Sequence, residues 1–157
     1  MKKIRIISIR KNTDPRIASL ENDYLSRLSR WMEVDIEDIR QKYAASASTD
    51  AILKRERRLL EKKIDPRRRR LVVLHPSGKT LTSGQFAQWI KKQMEDTPSG
   101  VDFLIGGPYG LDPDILHKAS LVLSLTPLTL THEHARLLLI EAIYRSVTLW
   151  HNLKYSK

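Results

Sequence analysis

Apolar positions fall into short runs and helical stripes that alternate along the chain. Lys3 to Ile9 is apolar at 4, 6, 7 and 9 and predicts a first strand. Asp14-Pro15 reads as a helix start, with Asp14 as N-cap and Pro15 in the first turn. Ile17, Leu20, Tyr24, Leu25, Leu28 and Trp31 follow at helical spacing and are assigned to the core. Val34 to Ile39 alternates as a second strand, and residues 40–50 form a polar loop without periodicity. Asp50 can cap a helix reaching about Ile64, with Ile52, Leu53, Leu59, Leu60 and Ile64 inward. Leu71 to Leu74 is continuously apolar, as expected of a strand covered on both faces. His75-Pro76-Ser77-Gly78-Lys79 then reads as a turn.

A helix beginning at Thr82 or Ser83 turns Phe86, Trp89 or Ile90, and Met94 inward. Asp102 to Ile105 is a fourth strand, Asp112-Pro113 opens a short helix, and Leu121 to Leu125 is a fifth strand. Thr126 to Thr131 contains a proline, which forbids a regular central strand and predicts an extended loop. From His132 runs the last long helix, with Ala135, Leu138, Leu139, Ala142, Ile143, Val147 and Trp150 on its buried stripe. Strands and helices therefore alternate over residues 1–157. That predicts one α/β domain with a mainly parallel sheet flanked by helices.

Within this pattern Phe103–Leu111 stands out, because its apolar run stops at Gly106-Gly107-Pro108 and a further glycine follows at 110. Two readings stay open here: a tight turn, or a backbone-lined pocket at the end of a strand. In a parallel sheet the loops 75–79, 106–110 and 126–131 share one edge and can converge. None of them has the spacing of a dinucleotide-binding or phosphate-binding glycine loop.

Charge adds a partner class. Lys and Arg number 28 against 18 Asp and Glu, a net +10 on 157 residues. Lys54, Arg55, Arg57, Arg58, Lys62 and Lys63 share the polar face of one helix, and Arg67 to Arg70 follow directly. Such a run is either a solvated face or a phosphate-contacting surface for a polyanion such as RNA. The absence of cysteine excludes disulfides, thiolate metal sites and cysteine nucleophiles. No apolar run is long enough to span a bilayer, and the N-terminus lacks the apolar core of a signal peptide. A cytoplasmic location without membrane contact is expected. His132 and His134, two apart, point to different sides of a helix, so no metal site is expected. On the last helix, Glu141 and Arg145 are spaced for an ion pair, while Arg136 or Arg145 could instead hold a substrate phosphate or base.

Taken together, Leu104-Ile-Gly-Gly-Pro-Tyr-Gly-Leu111, Leu123-Ser-Leu-Thr-Pro-Leu-Thr-Leu-Thr-His132, Arg136 with Leu139, Glu141, Tyr144 and Arg145, and the terminal Tyr155-Ser156-Lys157 resemble the RlmH-type methyltransferases of the SPOUT class. The resemblance spans essentially the whole chain. It implies a C-terminal deep trefoil knot, a homodimer, and methylation of N3 of a pseudouridine in large-subunit ribosomal RNA. The implied methyl donor is S-adenosylmethionine, contacted by Leu74, Gly106 with Gly107, and the segment Leu125, Thr126, Pro127, Leu128, Thr129 and Leu130. Candidate catalytic residues are Arg136, Glu141, Tyr144, Arg145, Tyr155 and Lys157, and the basic stretch Lys54–Arg70 is the implied contact to ribosomal RNA. The chain departs from the family in having His75 in place of a usual acidic residue, Ala142 after Glu141, and Ser156 in place of a tail histidine. Those departures leave two alternatives: a cofactor- and RNA-binding protein with weakened catalysis, or an enzyme acting on another RNA such as tRNA.

Overall fold

The computed structural model describes residues 3–9 and 14–155. Five strands, β1 (Lys3–Ser8), β2 (Glu33–Asp38), β3 (Arg70–Thr80), β4 (Val101–Ile105) and β5 (Leu121–Ser124), form one sheet in the order β2-β1-β4-β3-β5. Every pairing is parallel. The connecting helices are α1 (Pro15–Leu28), α2 (Thr49–Glu61), α3 (Ser83–Asp96), α4 (Pro113–Lys118) and α5 (His132–Trp150).

Side chains alternate across the strands and so build two cores. Ile4, Ile6, Val72 and Phe103 face one side, where they meet Leu28 of α1, Phe86 and Ile90 of α3, and Leu139, Ile140 and Ile143 of α5. Ile7, Leu71, Val73 and Leu104 face the other and meet Leu60 of α2 and Ile115 of α4. The result is a three-layer α/β sandwich in which the C-terminal ends of all strands lie at one edge.

Several elements differ from the sequence reading. The His75–Lys79 segment is not a turn but part of β3, which pairs with β5 through a register shift between Leu74 and Lys79. Gly78 is there for close approach: a Cβ would lie 2.7 Å from the Val122 carbonyl oxygen. Helix α2 is capped by Ser48, whose side chain accepts from the Ala51 N–H, rather than by Asp50. Leu20 and Trp31 are exposed, not core, while Glu21 turns inward together with Leu28. Trp31 stacks on His151 with ring centroids 4.0 Å apart. On α5, Leu138 is exposed while Arg136 is buried.

The N-terminal ends of the strands are closed by an ionic clamp. Asp102 is 1% exposed and accepts from Arg5 Nε at 2.9 Å, Arg5 Nη2 at 2.6 Å and Arg69 Nε at 2.5 Å. Hydrogen bonding to Asp102 raises the pKa of Arg5 against the opposing effect of its burial.

Candidate cofactor-binding site

A cavity of about 440 Å³ opens at the C-terminal edge of the sheet. Its volume is within the range of small-molecule sites. Leu74, His75 and Pro76 of β3 form one wall, and the loop after β4 supplies Gly106, Gly107, Pro108 and Gly110. Leu125, Thr126 and the run Leu128–His132 form another wall, joined by Ala135 of α5. The two loops after β4 and β5 therefore converge with β3 at the place where the sequence predicted the third loop. Of the positions expected to contact a cofactor, Leu74, Gly106, Gly107, Leu125, Thr126, Leu128, Thr129 and Leu130 line the cavity; Pro127 does not.

Local bonding shapes both loops. Gly110 donates its N–H to the Gly107 carbonyl at 3.0 Å and adopts φ +81°, a backbone region that glycine enters without steric cost. The Gly-Gly-Pro-Tyr-Gly segment is thus both a tight turn and a cavity wall, and the two readings left open by the sequence coincide. Gly106 packs against the far side of the same turn, where a Cβ would sit 2.8 Å from Gly110 O and from Leu111 Cγ. In the other loop Ser124 Oγ donates to the Thr126 carbonyl at 2.8 Å, and Leu128 N–H donates to Thr126 Oγ1 at 3.2 Å. These bonds turn the chain at Pro127 and Leu128 before Thr131 caps α5.

Among the described residues, no Asp, Glu, Lys or Arg lines the cavity. Its polar side chains are His75, Thr126, Thr129, Thr131 and His132. His75 Nδ1 accepts the Ser77 N–H at 3.1 Å and lies 2.6 Å from Ser77 Oγ. Because a backbone N–H can only donate, Nδ1 is the unprotonated nitrogen of this ring. The Nε2 atom of His132 is buried without a hydrogen-bond partner among the described residues. The site therefore suits a mostly apolar ligand carrying neutral polar groups, held by backbone and a few hydroxyl and imidazole groups.

The α5 candidates separate into two environments. Arg136 Nε and Nη2 donate to the two Glu21 carboxylate oxygens, each at 3.0 Å, and Nη1 donates to Asp38 at 2.5 Å. Burial lowers the pKa of Arg136, but Glu21 and Asp38 outweigh it and the net direction is upward. This guanidinium ties α5 to α1 and β2 and lines neither cavity. Its observed engagement is with protein carboxylates, which no spacing rule within α5 could reveal.

Glu141, Tyr144, Arg145 and Tyr155 do come together. Arg145 Nη2 donates to Glu141 Oε1 at 2.7 Å, and the Tyr155 hydroxyl donates to the same oxygen at 3.1 Å. The guanidinium of Arg145 lies 4.6 Å from the Tyr155 ring centroid, and Tyr144 meets that ring edge-on at 5.0 Å. Tyr24 of α1 completes the cluster, its hydroxyl 3.1 Å from that of Tyr155. Sequence reasoning placed Tyr24 in the core and gave no signal of this contact, which spans 131 positions. Burial first, then Tyr24 and Glu141, push the Tyr155 phenol well above its ordinary range. Glu141 and Arg145 border a smaller cavity of about 140 Å³, and Leu125 belongs to the walls of both cavities. The expected role of Lys157 falls on a residue outside the described ones.

On the basic stretch, several charges are already paired. Lys54 meets Asp50, Arg57 meets Asp112 and Asp114, Lys63 meets Glu37, and Arg69 meets Asp102. Arg55, Arg58, Lys62, Arg67 and Arg68 are exposed and, among the described residues, have no carboxylate within ion-pair distance.

An all-parallel sheet flanked by helices, with a loop cavity at its C-terminal edge, is the α/β class in which ligand sites lie outside the carboxyl ends of the strands. The family model described as "Predicted SPOUT methyltransferase" matches residues 1–156, and the chain belongs to this family. A protein of Gemmatimonas aurantiaca named Ribosomal RNA large subunit methyltransferase H is 34% identical, over 91% of this chain and 94% of its own. A protein of Desulforamulus reducens with the same name is 35% identical, over 100% of both chains. Among solved structures, a probable methyltransferase from Bordetella pertussis Tohama I superposes with a TM-score of 0.55 at 15% identity, covering 94% of each chain. That likeness supports the fold.

Proposed function

We propose that this protein methylates large-subunit ribosomal RNA, with S-adenosylmethionine bound in the 440 Å³ cavity and N3 of a pseudouridine as acceptor. The observation that carries the proposal is the meeting of Leu74, Gly106 and the 125–130 segment around one cavity, in a chain similar over its full length to proteins named rRNA methyltransferases. The residues present fit the donor. A cationic methyl donor needs no phosphate cradle, and the close glycine turn and the loop after β5 offer backbone groups and apolar walls to a nucleoside. When bound, S-adenosylmethionine supplies an electrophilic methyl group on its sulfonium.

The chain's own residues bind, orient and manage charge. The walls on either side of Leu125 place the cavity next to the Glu141–Arg145–Tyr155 cluster, so that cluster is the proposed contact to the acceptor nucleotide. Holding two reactants in line accounts for much of the acceleration available to such a transfer. The acceptor N3–H must lose its proton. Tyr155 is held in its protonated form and serves as a hydrogen-bond donor rather than a base. The exposed cations Arg55, Arg58, Lys62, Arg67 and Arg68 are the proposed phosphate contacts. A homodimer, a knotted path for α5 and a cytoplasmic location belong to the same proposal.

The test is transfer of labelled methyl from S-adenosylmethionine to 70S particles, 50S subunits and tRNA from the same organism. Label in the ribosomal fractions, mapped to a single pseudouridine, is expected. Label in tRNA instead would move the substrate to another RNA. Cofactor binding without incorporation into any of the three would leave a binding protein.

A further inference from the structure

The second cavity, of about 140 Å³, shares Leu125 with the first but differs from it in carrying charge. Phe86, Leu123 and Leu125 give it apolar surface, and Glu141 and Arg145 are the charged residues of its wall among the described residues. Its volume lies below that of ordinary small-molecule sites and suits a ring-sized group.

Glu141 and Arg145 are held in one arrangement. Oε1 of Glu141 accepts from Arg145 Nη2 at 2.7 Å and from the Tyr155 hydroxyl at 3.1 Å. The Tyr155 ring centroid lies 4.6 Å from the guanidinium. Among the described residues neither Glu141 Oε2 nor the Nε and Nη1 atoms of Arg145 make a hydrogen bond, and both side chains stay partly exposed. The pair therefore offers one acceptor beside unused donors, in a geometry that Tyr155 helps to fix.

A base edge that matches this arrangement carries a donor next to an acceptor. Pseudouridine has such an edge. Its ring joins the sugar through carbon, so N1 keeps a hydrogen and lies next to the O2 carbonyl. In uridine N1 is bonded to the sugar and has no hydrogen. N3 lies on the other side of O2. An N1–H and O2 edge held at Glu141 and Arg145 thus leaves N3 free to face the larger cavity across Leu125.

We infer that Glu141 is a specificity-determining residue, whose Oε2 accepts the N1–H of pseudouridine while Arg145 donates to O2. The inference rests on the proposed methylation of pseudouridine N3. Pseudouridine and uridine are isomers of similar shape, and apolar walls separate such pairs poorly. A carboxylate can only accept, so facing uridine it meets a position without a hydrogen and stays unpaired.

The experiment measures methyl transfer by the full-length protein to two preparations of 70S particles. One carries pseudouridine at the target position; the other, from cells lacking the synthase for that position, carries uridine. The readout is the ratio of kcat/KM for the two, in which the concentration of folded enzyme cancels. The wild type is expected to favour pseudouridine. Glu141→Ala is expected to lower that ratio about tenfold or more, the worth of one hydrogen bond to a charged group. Glu141→Gln, whose amide oxygen still accepts, should keep most of the preference. Glu141→Met, which retains the length without an oxygen, should match Glu141→Ala and serves if the alanine variant does not fold. A Glu141 that only supports α5, or that takes the N3 proton, would slow both substrates alike. A ratio unchanged in Glu141→Ala and Glu141→Met would therefore overturn the inference, as would a wild type that treats the two particles equally. In either case label on the pseudouridine particles leaves the proposed methylation standing. A wild type that labels neither preparation removes that proposal and the role of Glu141 together.

Discussion

At the N-terminal ends of the strands, Asp102 is buried among two guanidinium groups, and the clamp spans β1, β4 and the turn before β3. At the C-terminal ends, the 440 Å³ cavity has no charged side chain in its wall among the described residues. One edge of the same sheet spends ion pairs on closing the domain, and the other keeps charge away from a space left open. Parallel sheets favour this division, because the loops leaving the strand ends are free to shape a ligand site while those entering them are not needed for it. The comparison implies that stability and ligand binding are separable by position along the strands.

The largest test of that separation is Asp102→Ala. It leaves Arg5 and Arg69 facing each other with their shared partner gone, and breaking such a buried pair costs about 3–5 kcal/mol. Urea unfolding should show a loss of this size, while the folded protein binds S-adenosylhomocysteine with unchanged affinity. A large change in affinity would mean that the two edges are coupled through the strands.

Tyr155→Phe probes the α5 face, which is neither edge. It removes the hydroxyl contacts to Glu141 and Tyr24 and should cost about 1 kcal/mol. The phenol also gives a pH signature. Its pKa is raised by burial, then by Tyr24 and Glu141, above the ordinary value of 10.0. The folded state thus holds the proton more tightly than the unfolded one. Its contribution to stability is fully present below pH 10.0 and is lost as pH rises above that value. Stability measured from pH 8 upward should fall more steeply in the wild type than in Tyr155→Phe. Cofactor affinity should be the same in both, with methyl transfer lower in the variant. Parallel pH curves would show that the contact does not hold the phenol in its neutral form.

Much of this organisation was legible in the sequence, and the exceptions share a cause. Apolar runs and Asp-Pro caps located the alternation of strands and helices, and the loops ending strands three to five were expected to converge. The end of β3 was hidden because Pro76 and Gly78 look like turn residues. Gly78 is needed where the β5 backbone passes close by, a relation between strands that local composition does not encode. Leu20 and Trp31 fit a helical stripe, but α1 is rotated so that Glu21 meets Arg136 of α5. The Arg136 ion network and the Tyr24–Tyr155 contact join positions 98 to 131 apart, beyond any periodicity argument. Backbone-lined sites are easier to anticipate, because glycine and proline announce where the chain turns even when no side chain signals the ligand.

Leu128→Asp reverses the test at the cavity. Leu128 is 73% exposed, so its replacement should alter stability by no more than about 0.5 kcal/mol. It nevertheless puts a carboxylate into a wall that has none among the described residues. Binding of 5′-methylthioadenosine should weaken, with urea midpoints unchanged. A protein that binds this ligand as before would show that the absence of charge is incidental to the site.

The smallest effect concerns a charge that does lie near the C-terminal edge. Asp14 caps α1 just after β1, accepting from the Arg16 N–H at 2.9 Å and pairing with the Arg16 guanidinium at 2.8 Å. Its own N–H donates to Glu133 in the first turn of α5 at 3.4 Å, next to His132, yet Asp14 is not part of the cavity wall. Bonds from the Arg16 side chain, then from its backbone, lower the Asp14 pKa from 3.8 to about 2. A lowered carboxyl pKa stabilises the fold above pH 3.8, and the contribution disappears as pH falls through about 2. Asn caps helices comparably and does not titrate. The stability difference between wild type and Asp14→Asn should therefore be constant above pH 4 and shrink during acid titration, with ligand affinity at pH 7 equal in the two proteins. If affinity fell with the charge removed, the field of Asp14 would reach the cavity, and its neutrality would have to be understood as a balance between outlying charges rather than as their absence.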